Sequence, residues 1–346
     1  MGESRTFNFI NSIKGGCGKT TFSIFLARYL DTVNRKTSDA SEKSLLLDMD
    51  LQGTAMQYLV DGGDSDKEDK KDKKTEKQKY KYLNEAVRIG GEVRDYVVSN
   101  RITDDWVLDV VFADSKYSEK EKFRVSSKTG YSPTTQYNVF KGGLQRFLQK
   151  LKDTEYRHLI FDMPPNSDGF SGAAFECVMN KAYNTKIKED DDKVNLFLLT
   201  SFDWGQVNET FKEAKALLIN KDNLLFDNLF IVFNDNIVRS MDSKIDIPKQ
   251  FRYNIAGFKG TVGRPIEEKE YKKIHFLRMD AYKTYSTYCM KGTGLRNLEQ
   301  MVLIPETQKL EDYIPEMPFI EYSDLDNEPV TIPEPGFLKD KIMSTK

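Results

Sequence analysis

A glycine-rich segment near the start of the chain, NSIKGGCGKTT from Asn11 to Thr21, has the residue types that bind phosphate groups. Glycine lets the backbone approach an anion closely, and the free N–H groups at a helix N-terminus attract negative charge. Seven consecutive positions suit a phosphate cradle: Gly15, Gly16, Cys17, Gly18, Lys19, Thr20 and Thr21. Lys19 is expected to reach the β- and γ-phosphates of a triphosphate, and the Thr20 hydroxyl is expected to bind Mg²⁺.

Two further motifs supply carboxylates. LLLDMDLQGT places Asp48 and Asp50 two residues apart after an apolar run, and HLIFDMPP ends a second apolar run with Asp162. Mg²⁺ prefers oxygen ligands and keeps several waters, so one or two carboxylates acting through water are enough to hold it. We expect Asp48 and Asp162 to take this role together with Thr20. Asp50 is placed to orient an attacking water toward the γ-phosphate.

The motifs lie at the ends of segments that have the length and composition of buried strands. Six such segments are apparent: residues 6–10, 44–50, 158–162, 194–200, 228–234 and 273–279. Helical periodicity follows the glycine-rich segment, and further helices are predicted for residues 206–219 and near residues 281–290. Apolar strands alternating with helices are typical of an α/β fold with a mostly parallel, doubly wound sheet and helices on both faces. Ligands of such sheets bind at the carboxyl ends of the strands, where the polar motifs lie.

The charge of the chain is unevenly distributed. Residues 239–296 carry 13 basic and 6 acidic side chains, whereas residues 298–346 carry 4 basic and 11 acidic ones. Residues 64–79 are almost wholly charged and cannot bury apolar area, which predicts a mobile insertion. We therefore predict one domain over residues 1–313, with an insertion at 61–80 and a basic region at 239–296. An acidic, proline-rich tail is predicted at 314–346.

The remaining composition indicates a cytoplasmic protein. No window approaches the roughly 18 consecutive apolar residues of a membrane span, and the N-terminus lacks the layout of a secretory signal. The three cysteines are far apart, which suggests a reducing compartment and no zinc or iron–sulfur site. His158 and His275 begin apolar strands and are expected to be structural. With only two histidines, no Ser/His/Asp set is apparent.

Taken together, the motifs resemble those of the ParA/MinD-type ATPases, P-loop NTPases with a deviant Walker A motif. KGGCGKTT is similar to the family's Lys-Gly-Gly-x-Gly-Lys-Thr-Thr. LLLDMDLQGT resembles its Asp-x-Asp-x-Gln-Gly switch segment, and HLIFDMPP resembles its Asp-x-Pro-Pro Walker B segment. IVFNDN and VLDVVFADS are similar to two further family strands. The resemblance extends from about Thr6 to Leu298.

The resemblance implies ATP and Mg²⁺ as ligands and a homodimer that forms around ATP. Lys14 would reach across the dimer to the partner's phosphates, in a catalytic role beside Lys19 and Asp50, and Asn234 would contact adenine. The resemblance further implies hydrolysis stimulated by a partner protein, and non-specific DNA binding through the basic region in the ATP state. The expected work is the partitioning or positioning of DNA or another cargo, with plasmid partition or chromosome segregation as examples and possible association with the nucleoid.

Other functions stay open. MinD-like proteins use a membrane instead of DNA, and the final segment GFLKDKIMSTK has a few apolar residues among lysines. It is short for an anchor, so a membrane partner is not expected. A ligase or synthetase on the same fold would need a substrate pocket and usually lacks the second lysine. An ATP-binding module would show no turnover, and the basic region could be an ordinary solvated face.

Overall fold

The computed structural model describes residues 4–36, 42–50, 54–59, 81–103, 106–114, 133–165, 169–180, 187–201, 204–219, 226–234, 274–279 and 319–321. The strands within these ranges are β1 (Thr6–Asn11), β2 (Lys43–Asp48), β3 (Val98–Thr103), β4 (Trp106–Val111), β5 (Tyr156–Asp162), β6 (Lys193–Ser201), β7 (Asn228–Asn234), β8 (Ile274–Met279) and β9 (Phe319–Glu321). The α-helices are α1 (Lys19–Lys36), α2 (Thr54–Leu59), α3 (Leu83–Ile89), α4 (Pro133–Lys150), α5 (Gly169–Met179) and α6 (Trp204–Ile219).

The strands form one sheet in the order β3-β4-β2-β5-β1-β6-β7-β8-β9. The seven strands from β4 to β8 pair in parallel, and the two outer strands pair antiparallel with their neighbours. This confirms the predicted mostly parallel, doubly wound α/β fold of the P-loop NTPases. The sheet order places β1, which precedes the glycine-rich segment, directly beside β5 and one strand away from β2.

Helices cover both faces of the sheet. Successive side chains of each inner strand point to opposite faces, so apolar side chains need a packing partner on each side. Leu46 and Phe197 pack with residues of α1 and α2 on one face. On the other face, Phe9 stacks on Phe161 with ring centroids 4.4 Å apart, within a core that includes residues of α3, α4, α5 and α6. The long apolar runs of the strands are thus buried on both sides.

The predicted strands are all present, and the helix predicted for residues 206–219 is the greater part of α6. β4 corresponds to VLDVVFADS, which is expected from its resemblance to a family strand, and two further strands, β3 and β9, lie outside the predicted set. β3 is a polar edge strand, VSNRIT, whose composition gives little β signal. β9 takes three residues from the segment predicted to be an appended tail and pairs them with β8. The insertion at 61–80, a helix expected near residues 281–290 and most of the basic region and tail lie outside the described residues, so the domain limits stay predictions.

A row of buried amides crosses the amino-terminal half of the sheet. Asn8, Asn195 and Asn228 lie in register on β1, β6 and β7. The amide of Asn228 donates to Asn195 (2.9 Å), which in turn donates to Asn8 (3.0 Å). Asn8 donates to the Thr6 hydroxyl (2.8 Å), which contacts Nδ1 of the buried His158 at 2.9 Å. This agrees with the structural role expected of His158.

None of the helices in the described ranges is both long and apolar enough to cross a membrane.

Candidate functional site

The carboxyl ends of β2, β5 and β1 meet at one edge of the sheet. Asp48 of β2 and Ile10 of β1 are both in register with Asp162 of β5. Backbone bonds continue the pairing past the strand ends, since Met49 N donates to the Asp162 carbonyl (3.0 Å) and Met163 N donates to the Ile10 carbonyl (3.1 Å). The parallel pairing therefore brings both carboxylate motifs to the start of the glycine-rich loop.

The loop between β1 and α1 has the backbone expected of a phosphate cradle. Gly16 and Gly18 have φ angles of 80° and 82°, in the left-handed region that side chains other than glycine rarely adopt. The Gly18 carbonyl accepts a bond from Phe22 N (2.9 Å) and starts the first turn of α1. Gly15 and Gly16 are exposed, so their backbone can be reached from solvent.

Lys19, the first residue of α1, is buried, with 7% of its surface exposed. Its ammonium donates to the Ser12 hydroxyl at 3.1 Å. Burial lowers the pKa of Lys19, and the charges of Asp162 and Asp50 act in the opposite direction. The side chain is thus held inside the site beside two carboxylates, as a lysine that contacts terminal phosphates requires.

Asp162 lies under the first turns of α1. Burial raises the pKa of its carboxyl to about 6, although the Thr20 hydroxyl bond, the Lys19 charge and Ser23 favour the ionised form. Ser23 Oγ donates to Asp162 Oδ1 at 3.3 Å. Thr20 and Ser23 are three residues apart and therefore lie on one face of α1. The first helical turn thus points two hydroxyl groups at the carboxylate that ends β5.

Asp48 is fully buried beside Asp162. Burial raises the pKa of its carboxyl well above the ordinary value, and the negative charge of Asp162 adds to the effect. Asp48 Oδ1 accepts a bond from the backbone N–H of Asp50 at 3.0 Å. Asp50 is also buried, in the turn that follows β2. Three aspartates and one lysine thus share a small water-poor space, in which negative charge is in excess.

The carboxylates fit a magnesium ion. Within the described part of the chain, Asp48 Oδ2 and Asp162 Oδ2 are buried and accept no hydrogen bond. Buried carboxylate oxygens normally have a partner, so two such atoms at adjacent strand ends suit a bound cation. No group of three His, Cys, Asp or Glu side chains among the described residues could hold a metal alone. Mg²⁺ at Asp48, Asp162 and Thr20 would complete its coordination with water and phosphate.

Cys17 links the loop to α6. Its thiol donates to Gln206 Oε1 at 3.3 Å, and burial raises the pKa of the thiol despite the nearby lysines. A thiol that stays protonated is a poor nucleophile, which favours the interpretation of Cys17 as a small packing residue over a redox role. The sequence does not single out Gln206, because its contact with Cys17 depends on the position of the first turn of α6 in the fold.

The remaining predicted residues lie at the edges of this cluster. Lys14 is exposed, whereas Thr21 is buried in the first turn of α1. Asn234 ends β7, two strands from β1 on the same sheet edge, and its contact with adenine stays a prediction. The described structure gives the position of its backbone only. Ser12 and Ser23 were not predicted, although Ser23 could have been found from its spacing to Thr20 on a helix.

A family model described as an AAA domain matches residues 5–177, half of the 346 residues. The chain belongs to this family and is of the ParA/MinD type. The matched part contains the cradle, Asp48, Asp50 and Asp162. It thus includes all the predicted site residues except Asn234. The family assignment agrees with the motif resemblance, and it supports nucleotide hydrolysis as a general activity.

A solved ParA structure has the same fold as this chain, and two further structures are similar to it. The chain is similar to pNOB8 ParA, at 14% identity and a TM-score of 0.52, with 90% of this chain and 93% of that one covered. It is also similar to McdA of Cyanothece bound to ATP (15% identity, TM-score 0.46, 89% and 100% covered). A third similar structure is cobyrinic acid a,c-diamide synthase of Mycobacterium smegmatis with an ATP analog and magnesium (16%, 0.41, 73% and 80%). The search of curated proteins gives no match.

Proposed function

We propose that the protein is an ATP-dependent switch that pairs with a second copy around bound ATP and hydrolyses it with Mg²⁺. One observation carries this proposal: the same loop holds one buried lysine and one exposed lysine. Lys19 is directed into the site, whereas Lys14 is exposed only five residues earlier. A long, flexible cation at the rim of a phosphate cradle suits an anion that arrives from outside, such as the nucleotide of a second subunit.

Nucleotide and metal assignments follow the site geometry. We propose Gly15, Gly16, Cys17, Gly18, Lys19, Thr20 and Thr21 as the phosphate-binding residues. Asp48, Asp162 and Thr20 would hold Mg²⁺, which would neutralise charge on the β- and γ-phosphates. Asp50 would orient the attacking water, because it is the aspartate beyond the strand end. Asn234 would contact the base.

Replacing Lys14 by alanine tests the pairing. The variant is expected to lose the ATP-dependent dimer, because the partner's phosphates lose a cation, while still binding nucleotide through Lys19. Light scattering after size exclusion, with ATP or ADP present, measures the mass. Lys212→Ala, which removes an exposed lysine of α6, is the control and should pair normally. A Lys14→Ala protein that dimerises on ATP like the unchanged chain would contradict the proposal. So would an unchanged chain that never dimerises.

The cargo surface is proposed to be non-specific DNA, on the basis of the 13 basic and 6 acidic residues between positions 239 and 296. Phosphate contacts of this kind weaken steeply with salt. Co-sedimentation with duplex DNA should therefore require ATP and disappear between about 50 and 200 mM salt. Binding to anionic vesicles instead of DNA would favour a membrane-positioning ATPase. An oligomeric state that changes neither with ATP nor with Lys14→Ala would favour a synthetase on this fold.

A further inference from the structure

We propose that Ser12 is a positioning residue that couples nucleotide loading at Lys19 to the placement of Lys14. The inference rests on the proposed pairing around ATP. Ser12 lies between the end of β1 and the phosphate-binding loop, and only 2% of its surface is exposed. Its hydroxyl contacts both functional lysines, at the side chain of one and the backbone of the other.

The direction of the two hydrogen bonds is fixed by chemistry. A carbonyl oxygen can only accept, so the single Ser12 hydroxyl hydrogen is donated to the Lys14 carbonyl, at 2.7 Å. An ammonium can only donate, so the Ser12 oxygen accepts from Lys19 Nζ, at 3.1 Å. The result is a directed chain from Lys19 through Ser12 to the Lys14 carbonyl. Each bond polarises the next, since an oxygen that accepts from a cation is a stronger donor.

The serine is itself held in place. The side-chain oxygen of Asn11 accepts a bond from the Ser12 backbone N–H at 2.8 Å. Asn11 is the last residue of β1, so the turn that presents the Ser12 hydroxyl begins at the rigid edge of the sheet. The backbone of Ser12 is therefore anchored to a strand that is buried on both faces.

Fixing the Lys14 carbonyl also orients the next peptide group. The Lys14–Gly15 peptide is planar and trans, so the Gly15 N–H points away from the carbonyl bound to Ser12. Gly15 is exposed, so this donor lies in a part of the loop that solvent and ligands can reach. Ser12 thereby orients a backbone donor for phosphate and sets the direction in which Lys14 leaves the loop.

The hydrogen bonds from Lys19 through Ser12 to the Lys14 carbonyl change when a triphosphate binds. The Lys19 ammonium has three donors and Ser12 takes only one, so the other donors can bind phosphate oxygens while the Ser12 bond is kept. The charge of Lys19 is then shared between phosphate and Ser12, in a site where burial strengthens electrostatic effects. Binding of phosphate at Lys19 thus alters the bond from Ser12 to the Lys14 carbonyl. The Lys14 side chain is then oriented to contact the phosphates of the partner subunit.

Ser12→Thr and Ser12→Val separate the hydroxyl from the shape, because the two side chains have nearly equal volume. Pairing is measured by light scattering as ATP is titrated. Ser12→Val is expected to need about tenfold more ATP for half-maximal pairing, since a hydrogen bond to a charged group is lost. Ser12→Thr is expected to remain within about twofold of the unchanged chain, because it retains the hydroxyl. Binding of a fluorescent ADP analog should weaken less than pairing does.

Ser44→Ala is the matched control. Ser44 is as buried as Ser12, and its hydroxyl donates to the Ala27 carbonyl at 3.4 Å, at the start of β2 and away from the loop. It should leave ATP-dependent pairing unchanged. Equal ATP requirements for Ser12→Val and Ser12→Thr would overturn the inference, as would equal weakening of ADP binding and pairing. If the unchanged chain does not pair on ATP, the proposed function fails first, so the two failures are distinguishable.

Discussion

Replacing Asp162 by asparagine is expected to stabilise the ligand-free protein by about 2 to 3 kcal/mol near pH 7.5 while lowering magnesium-dependent hydrolysis about 10- to 100-fold. The carboxylate is fully buried, and burial raises its pKa to about 6 from an ordinary value of 3.8. Asparagine has the same shape without the charge, so the cost of burying an anion disappears. The proposed magnesium site loses one of its carboxylates at the same time. Urea unfolding in EDTA measures the stability, and phosphate release measures the hydrolysis.

The sign of the pH dependence follows from the raised pKa of Asp162. Between about pH 4 and pH 6 the folded chain binds more protons at this site than the unfolded chain, so the free energy of unfolding falls as pH rises. Above about pH 6 both states are ionised and the loss is complete. The gain from Asp162→Asn should therefore be full near pH 7.5 and about half as large near pH 5. A gain that does not grow with pH would contradict this explanation.

Asp109→Asn is the control for the substitution itself. Asp109 is also buried, but its oxygens accept bonds from the Ser99 hydroxyl (2.5 Å) and the Tyr156 hydroxyl (2.9 Å). Exchanging an oxygen for an NH₂ group there would face a donor with a donor, so this variant is expected to lose about 1 to 3 kcal/mol. The same substitution should thus raise the free energy of unfolding at Asp162 and lower it at Asp109. Stabilisation at both sites would refute the distinction.

Replacing Gly143 by alanine is expected to destabilise the fold by about 3 kcal/mol or more. Gly143 lies in α4 where it crosses α3, and an added Cβ would lie 2.0 Å from the Val87 carbonyl oxygen. Neither backbone can retreat without separating the two helices from a shared core that includes Leu83 and Leu144. The midpoint of urea unfolding, followed by circular dichroism, should shift strongly downward.

The preceding residue gives a control in the same helix. Among the residues that the structure describes, a Cβ on Gly142 would meet only the end of the Arg146 side chain, at 3.7 Å. Gly142→Ala should therefore gain about 0.5 to 1 kcal/mol from the higher helix propensity of alanine. Equal effects of the two substitutions would show that α3 and α4 do not approach as closely as described here.

The central sheet could be predicted from the sequence because its strands are buried on both faces. A run such as LFLL in β6 has no other stable place, and its length excludes a long helix. β3 could not be predicted in this way, since residues such as Ser99 and Arg101 alternate without a clear apolar face. β9 has only three residues and exists through its pairing with β8. A strand of that length carries no periodicity of its own.

The candidate site can be predicted from the sequence to the extent that its residues lie close together along the chain. Lys19 and Thr20 follow glycines at fixed spacing, and Asp48 and Asp162 end apolar runs. The contact between Cys17 and Gln206 joins residues 189 positions apart and depends on the order of β1 and β6 in the sheet. The role of Ser12 depends on the direction of the buried Lys19 side chain, whose ammonium contacts the Ser12 hydroxyl. Both contacts are consequences of tertiary structure, and neither glutamine nor serine is a residue type rare enough to attract notice in a sequence.

The amide row through Asn8, Asn195 and Asn228 fixes the register of the strands that carry the proposed nucleotide site. β1, β6 and β7 are apolar enough to slide past one another by two residues and still bury side chains on the same faces. A slip would place an amide opposite an apolar side chain such as Phe197 and leave buried donors unsatisfied, at about 1 to 3 kcal/mol for each lost bond. The row thereby fixes the stagger between β1, which carries the phosphate loop, and β7, which ends at Asn234. The span of the proposed nucleotide site, from the phosphate loop to Asn234, is thus set at the opposite end of the strands.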